Sequence, residues 1–114
     1  MANYEFEATV RKYNGKLIID LRGEINAFAE PDLTEAYSEV DRHNPTSVFL
    51  NFEDVNYINS TGIALIVSLL AQARKSQRQV IVYGLSDHYL EIFEITRLSD
   101  FMIIHEDEAA ALAV

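Results

Sequence analysis

The chain has no cysteine and no tryptophan, and only two prolines and four glycines among its 114 residues. Without thiols, disulfide staples, thiolate metal sites and cysteine nucleophiles are all excluded. Basic residues are scarce as well: nine Lys and Arg against eighteen Asp and Glu give a formal net charge of −9. Nucleic acid binding needs a basic face that displaces counterions, and anionic lipid makes the same demand, so neither is an expected partner. Long apolar runs are missing too. The longest, Ile63 to Val67 with Leu69, Leu70 and Ala71 after Ser68, falls far short of the roughly 20 residues of a membrane span. The opening Met1-Ala2-Asn3-Tyr4-Glu5 has neither the basic start nor the apolar segment of an export signal, so a cytoplasmic location is the expectation. The Asn59-Ser60-Thr61 sequon then reads as a chance match.

What is present fits one globular domain spanning 1–114, with 49% apolar and 24% charged residues. No repeat, low-complexity tract or linker interrupts it. Tyr4, Phe6, Ala8 and Val10 alternate with polar residues at strand period. Asn14-Gly15, the dipeptide of tight hairpin turns, leads into a second strand over Lys16 to Arg22, with Leu17, Ile19 and Leu21 on one face. Glu30-Pro31-Asp32 starts a helix that places Leu33, Ala36, Tyr37 and Val40 on one side and ends before Asn44-Pro45. Val48 to Phe52 is an interior strand, Glu53 to Asn59 a polar loop, and Ser60 to about Gln77 the longest helix, apolar almost all round and so sandwiched. Val80 to Tyr83 is a strand closed by Gly84, and Ser86 caps a helix carrying Tyr89, Leu90, Ile92 and Phe93. Phe101 to Ile104 makes a last strand and Glu106 to Leu112 a last helix. The order β-β-α-β-α-β-α-β-α predicts an α/β domain with a mixed sheet, opened by a hairpin and joined by right-handed crossovers.

Catalytic signatures are few. The glycines, Gly15, Gly23, Gly62 and Gly84, are too scattered to cradle a phosphate. His43, His88 and His105 are isolated, without the spacing of a helical metal pair, and no catalytic residue, metal or cofactor is implied. Arg74, Lys75 and Arg78 gather at a helix end, where they complement the dipole or hold a small anion. Glu30, Asp32, Glu35, Glu39 and Asp41 make one helix strongly acidic, as a solvated face or as a contact surface for a basic partner.

One segment carries chemistry: Asp54-Val55-Asn56-Tyr57-Ile58-Asn59-Ser60-Thr61-Gly62-Ile63, which puts two hydroxyls at the start of the most apolar helix. Either a hydroxyl caps that helix, which contributes about 1 kcal/mol, or it accepts a phosphate, which the helix dipole and unpaired N–H groups accommodate.

This segment resembles the STAS domain family, in particular the stand-alone anti-sigma factor antagonists of bacterial partner switching. The resemblance extends over Leu21-Arg22-Gly23-Glu24-Ile25-Asn26, Val48 to Phe52, Asn59 to Leu65, and Leu90-Glu91-Ile92-Phe93 through Leu98 and Phe101. It implies a non-enzymatic switch. The unphosphorylated antagonist binds an anti-sigma factor that is also a serine kinase, and phosphorylation separates the pair until a serine phosphatase restores binding. The family serine maps onto Ser60, with Thr61 the second choice. The docking surface maps onto Glu24, Asn26, Asn56, Asn59, Ser60, Thr61 and Gly62. Two family aspartates are replaced, by Asn59 and Asn26, each removing a charge beside the phosphate site. The loss either eases formation and retention of the phosphoserine or removes a group that orients the serine for the kinase. A monomer is expected. The alternative is a ligand-sensing or scaffold domain in which Ser60 merely caps its helix.

Overall fold

Asn14 and Gly15 turn the chain with positive φ angles of 49° and 80°, the backbone that a tight hairpin requires and that Asn-Gly tolerates best. They join β1 (Glu7–Tyr13) to β2 (Lys16–Ile25) in antiparallel register. The structure is a computed structural model, and it describes residues 5–113. Tyr4, expected in the first strand, lies outside the described residues; Phe6 is buried just ahead of β1. After β2 come α1 (Glu30–Arg42), β3 (Ser47–Ile58), α2 (Ser60–Lys75), β4 (Gln79–Tyr83), α3 (Asp87–Ile95), β5 (Ile103–His105) and α4 (Glu108–Leu112). The five strands lie in sequence order, and each from β3 onward is parallel to the one before.

Because the strands advance one place at a time with crossovers of one hand, α1, α2 and α3 all cover the same face. There Leu33, Tyr37 and Val40 of α1, Ile66, Leu69 and Leu70 of α2 and Phe93 of α3 close over Ile19, Leu21, Leu50, Phe52, Val80 and Val82. Among the described residues the opposite face carries only α4, whose Ala111 clusters with Ile18, Phe49, Ile81 and Tyr83.

Four expectations are corrected. Glu53 to Asn59 is not a loop: β3 runs on to Ile58 beside β2. Two register shifts make this possible, since Asp20 and Arg22 oppose Asn51 and Asp54, and Gly23 and Glu24 oppose Val55 and Tyr57. Each shift adds one residue to β3, and such bulges break the alternation that would otherwise mark a strand. Secondly, α2 is not sandwiched. It buries Ile66, Leu69, Leu70 and Ala73, while Val67 on its outer side is 44% exposed. Thirdly, Phe101 ends a 3₁₀ turn over Leu98–Phe101 and lies under the Arg74 guanidinium, 5.4 Å from its ring centre. The last strand starts at Ile103. Finally, the last helix begins at Glu108, capped by Asp107, whose side chain accepts from the Ala110 N–H.

Two polar clusters pin the helices. Arg78 does not join Arg74 and Lys75 in the last turn of α2; its buried guanidinium donates to Pro45 O, Tyr37 Oη, Asp41 Oδ1 and Asn44 Oδ1 at 2.9–3.2 Å. It thereby ties the end of α1 to the start of β4 and gives Asp41 a basic partner. On the other face, Arg11 donates to Asp20 at 2.8 and 3.0 Å and to Glu108 at 2.6 Å. Tyr83 Oη also donates to Glu108, at 2.7 Å, and Asn51 Nδ2 to Asp20, at 2.9 Å. These bonds clasp α4 onto the sheet.

The hydrogen bond from Tyr83 and that from Arg11 hold the Glu108 carboxyl below its ordinary pKa. Burial pushes Asp20 up, but the bonds from Arg11 and Asn51 and the charge of Arg11 outweigh it, so Asp20 is depressed as well. Groups of this sign stabilise the fold above about pH 4 and lose that contribution as pH falls through their folded-state values. Glu108→Gln is therefore expected to melt below wild type at pH 6, with the gap narrowing at pH 3. A gap independent of pH would rule out an ionic clasp.

A second expectation concerns how α2 meets the sheet. A methyl group at Gly62 would fall inside contact distance of the Ile25 carbonyl oxygen and 2.9 Å from Ile58 Cγ2. The oxygen is backbone and cannot swing aside, so Gly62→Ala should cost about 3 kcal/mol in denaturant unfolding. Wild-type stability would mean that α2 shifts freely.

Candidate functional site

A single residue, Asn59, separates β3 from α2, and its extended backbone (φ −90°, ψ −177°) makes it the N-cap. Its Oδ1 accepts from the Gly62 N–H at 2.8 Å, and its own N–H donates to Ile25 O at 3.2 Å. One residue earlier, the Ile58 N–H donates to Tyr89 Oη at 2.8 Å, and that hydroxyl turns back to Ile58 O at 3.4 Å. Tyr89 comes from α3 and is buried. The corner is thus fixed from β2, from α2 and from α3 at once.

Ser60 follows as the first residue of α2, with Thr61 next, and both are exposed. The capping bond that either hydroxyl could have made is made by Asn59 instead. Ser60 Oγ makes no side-chain hydrogen bond among the described residues. It stands at the positive end of a 16-residue helix, where a negative group is favoured.

Asn26 does the same work at the end of β2. It caps the 3₁₀ turn Ala27–Ala29, its Oδ1 accepting from the Phe28 N–H at 2.9 Å. Both positions that depart from the family pattern are therefore caps, and an amide oxygen makes the bond that a carboxylate would, without the charge.

The other expected docking residues gather on this rim, at the carboxyl ends of β2 and β3. Glu24 is half-buried opposite Tyr57. Asn56 is the extra residue of the second bulge and is exposed; it also lines a groove of about 860 Å³ with Arg22, Asp32, Glu53 and Asp54. Gly62 is buried, and its bare Cα lets the first turn of α2 come close to Ile25.

The histidines are not brought together. His43 bonds through Nδ1 to Glu39 O at the end of α1, His88 lies edge-on to Tyr89, and His105 ends β5. No group of three or more metal-ligating side chains occurs among the described residues. Arg74 lies over Phe101 and Arg78 is held by the α1 terminus, so of the three only Arg74 and Lys75 belong to the last turn of α2. The acids of α1 stand outside its buried side and are exposed, with Asp41 paired to Arg78.

Sequence reasoning missed two residues of the rim. Tyr89 was legible only as a core residue of α3; its hydroxyl was the signal, since a buried tyrosine seeks a partner. Phe28 is 89% exposed beside the cap Asn26 and belongs to no periodic run that would have marked it.

Comparison with known proteins agrees with this geometry. The family model described as STAS domain matches residues 7–111. The anti-sigma-B factor antagonist of Staphylococcus aureus (strain NCTC 8325 / PS 47) is 30% identical over 88 residues, 77% of this chain and 82% of its own length. Among solved structures, an anti-sigma factor antagonist from Mycobacterium paratuberculosis superposes with a TM-score of 0.83 at 18% identity, covering 98% of this chain and 95% of that one. The Bacillus cell fate determinant SpoIIAA in its phosphorylated form gives 0.67 at 19% identity, over 93% of this chain and 96% of its own. With nearly its whole length matched and the hydroxyl pair standing at the corner between β3 and α2, this chain belongs to the STAS domain family.

Proposed function

We propose that this chain is an anti-sigma factor antagonist whose binding is switched by phosphorylation of Ser60. Unphosphorylated, it docks through the rim of Glu24, Asn26, Asn56, Ser60 and Thr61 onto an anti-sigma factor that is also a serine kinase. The kinase then transfers the γ-phosphoryl group of ATP: the Oγ–P bond forms on Ser60 as ADP leaves. A serine phosphatase hydrolyses the ester and restores binding. This chain contributes recognition and the acceptor hydroxyl, while the two enzymes contribute the chemistry.

The observation that carries the reading is the uncommitted hydroxyl of Ser60, relieved of capping by Asn59. Modification therefore breaks no bond that holds the fold. It adds a charge of about −1.5 to −2 to a stretch, Gly23 to Ala73, in which Arg42 is the sole Lys or Arg. Arg42 ends α1, at the far end of the parallel strands. Arg22, the cation that lines the neighbouring groove, is paired with Glu7, and the phosphate must be desolvated if the interface closes over it. The names of the relatives support the same reading, as does the occurrence of SpoIIAA in a phosphorylated form. On this reading the output released by the antagonist is a sigma factor.

Incubated with ATP and the anti-sigma kinase encoded in the same genome, the protein should gain one phosphate by intact mass. Ser60→Ala should gain none; full labelling of that variant would move the acceptor to Thr61. Ser60→Asp should bind the kinase at least about tenfold more weakly than wild type, through its buried charge. Its melting temperature should not fall, because a negative group is favoured in a first helical turn. Equal affinity of the two proteins would leave docking in place without a switch.

A further inference from the structure

Phe28 is the most exposed large apolar side chain among the described residues, at 89%, and phosphoryl transfer to Ser60 has no use for it. A solvent-facing ring is unremarkable on a loose chain, but here the backbone is held on both sides. Asn26 Oδ1 accepts from the Phe28 N–H at 2.9 Å, and Asn26 O from the Ala29 N–H at 3.0 Å. Ala29 is fully buried, and α1 begins at the next residue with Pro31 in its first turn. The ring therefore projects from a fixed point, and contact with a partner would freeze little besides its own two torsions.

Its surroundings say what it meets. The turn that bears Phe28 packs against the end of β2 and against α2, so the ring belongs to the same rim as Ser60. Next to it in the chain stand Glu24, Glu30 and Asp32, with no basic residue between Arg22 and Arg42. A rigid aromatic with an acidic border is suited to an apolar pocket edged by Lys or Arg. Phe101, another exposed ring, lacks this setting: it is covered on one side by Arg74 and lies at the opposite ends of the strands.

We propose that Phe28 is the apolar anchor of the docking rim, entering an apolar pocket with a basic border on the anti-sigma factor, and that Asn26 acts by positioning it. The inference rests on the antagonist function proposed above. The test is calorimetric titration of the full-length chain with the purified anti-sigma kinase of the same genome. Phe28→Ala should weaken binding about 30-fold or more, the scale of a hot-spot residue, with no loss of melting temperature. Phe28→Leu, which keeps most of the apolar volume, should stay within about tenfold of wild type. Phe101→Ala should bind as wild type does.

Wild-type affinity in Phe28→Ala would overturn the anchor while leaving the antagonist function standing. An equal loss in Phe28→Ala and Phe101→Ala would overturn it too, since the effect would then not be local to the rim. Failure of the unmodified chain to bind would overturn the antagonist function, and the anchor with it.

Discussion

The carbonyl of Ile25 is the contact on which the corner between β3 and α2 depends. It accepts the Asn59 N–H and at the same time lies against the bare Cα of Gly62, so the end of β2 and the first turn of α2 share one atom. Neither element can tilt without breaking that bond or opening the corner. From this contact follow the angle at which α2 leaves the sheet and the height at which Ser60 stands above it. The 3₁₀ turn that starts two residues after Ile25 is placed by it as well. Tyr89 braces the same corner from behind, through the backbone N–H and C=O of Ile58. A switch that must change what it binds without changing shape needs a corner of this stiffness, because a loose one would spend the added charge on local rearrangement.

The fold and half of the site were legible in the residues, and for a consistent reason. Asn14-Gly15, Pro31 and the helical spacing of Leu33, Ala36, Tyr37 and Val40 act through near neighbours, and near neighbours are what a sequence displays. Ser60 and Thr61 were legible because hydroxyls before an apolar helix have only a few uses. What escaped depends on distant partners. The tail of β3 hides its strand character behind two bulges that only the β2 register explains. Arg78 read as one of three basic residues at a helix end, and its burial becomes visible only when the end of α1 arrives with Tyr37, Asp41 and Asn44. The division of labour between Asn59 as cap and Ser60 as a free hydroxyl also had to be seen, since Asn, Ser and Thr are all competent caps.

The two asparagines that depart from the family pattern take on a definite sense in this light. Each still fulfils the geometric requirement of its position, a short side chain with an oxygen that accepts a backbone N–H in the following turn. What is lost is charge alone. The replacement leaves the architecture of the rim intact and alters only the electrostatic background against which a phosphate would be read.

The distribution of the remaining charge has a consequence that the net value of −9 conceals. Arg42, Arg74, Lys75 and Arg97 all stand at or next to the carboxyl termini of helices, and Lys16 stands at the hairpin turn. In a sheet with this topology those places share one pole. Glu7, Glu24, Glu30, Asp54, Asp87 and Asp107 lie at the other, where the parallel strands end. Ion pairs offset part of the charge at both poles, Arg22 with Glu7 at one and Arg97 with Asp100 at the other, yet the end that bears Ser60 is the more acidic. In the field of a cationic surface such a body experiences a torque as well as an attraction, and it turns its acidic pole forward before touching. The pole that would lead such an approach is the one that bears Ser60.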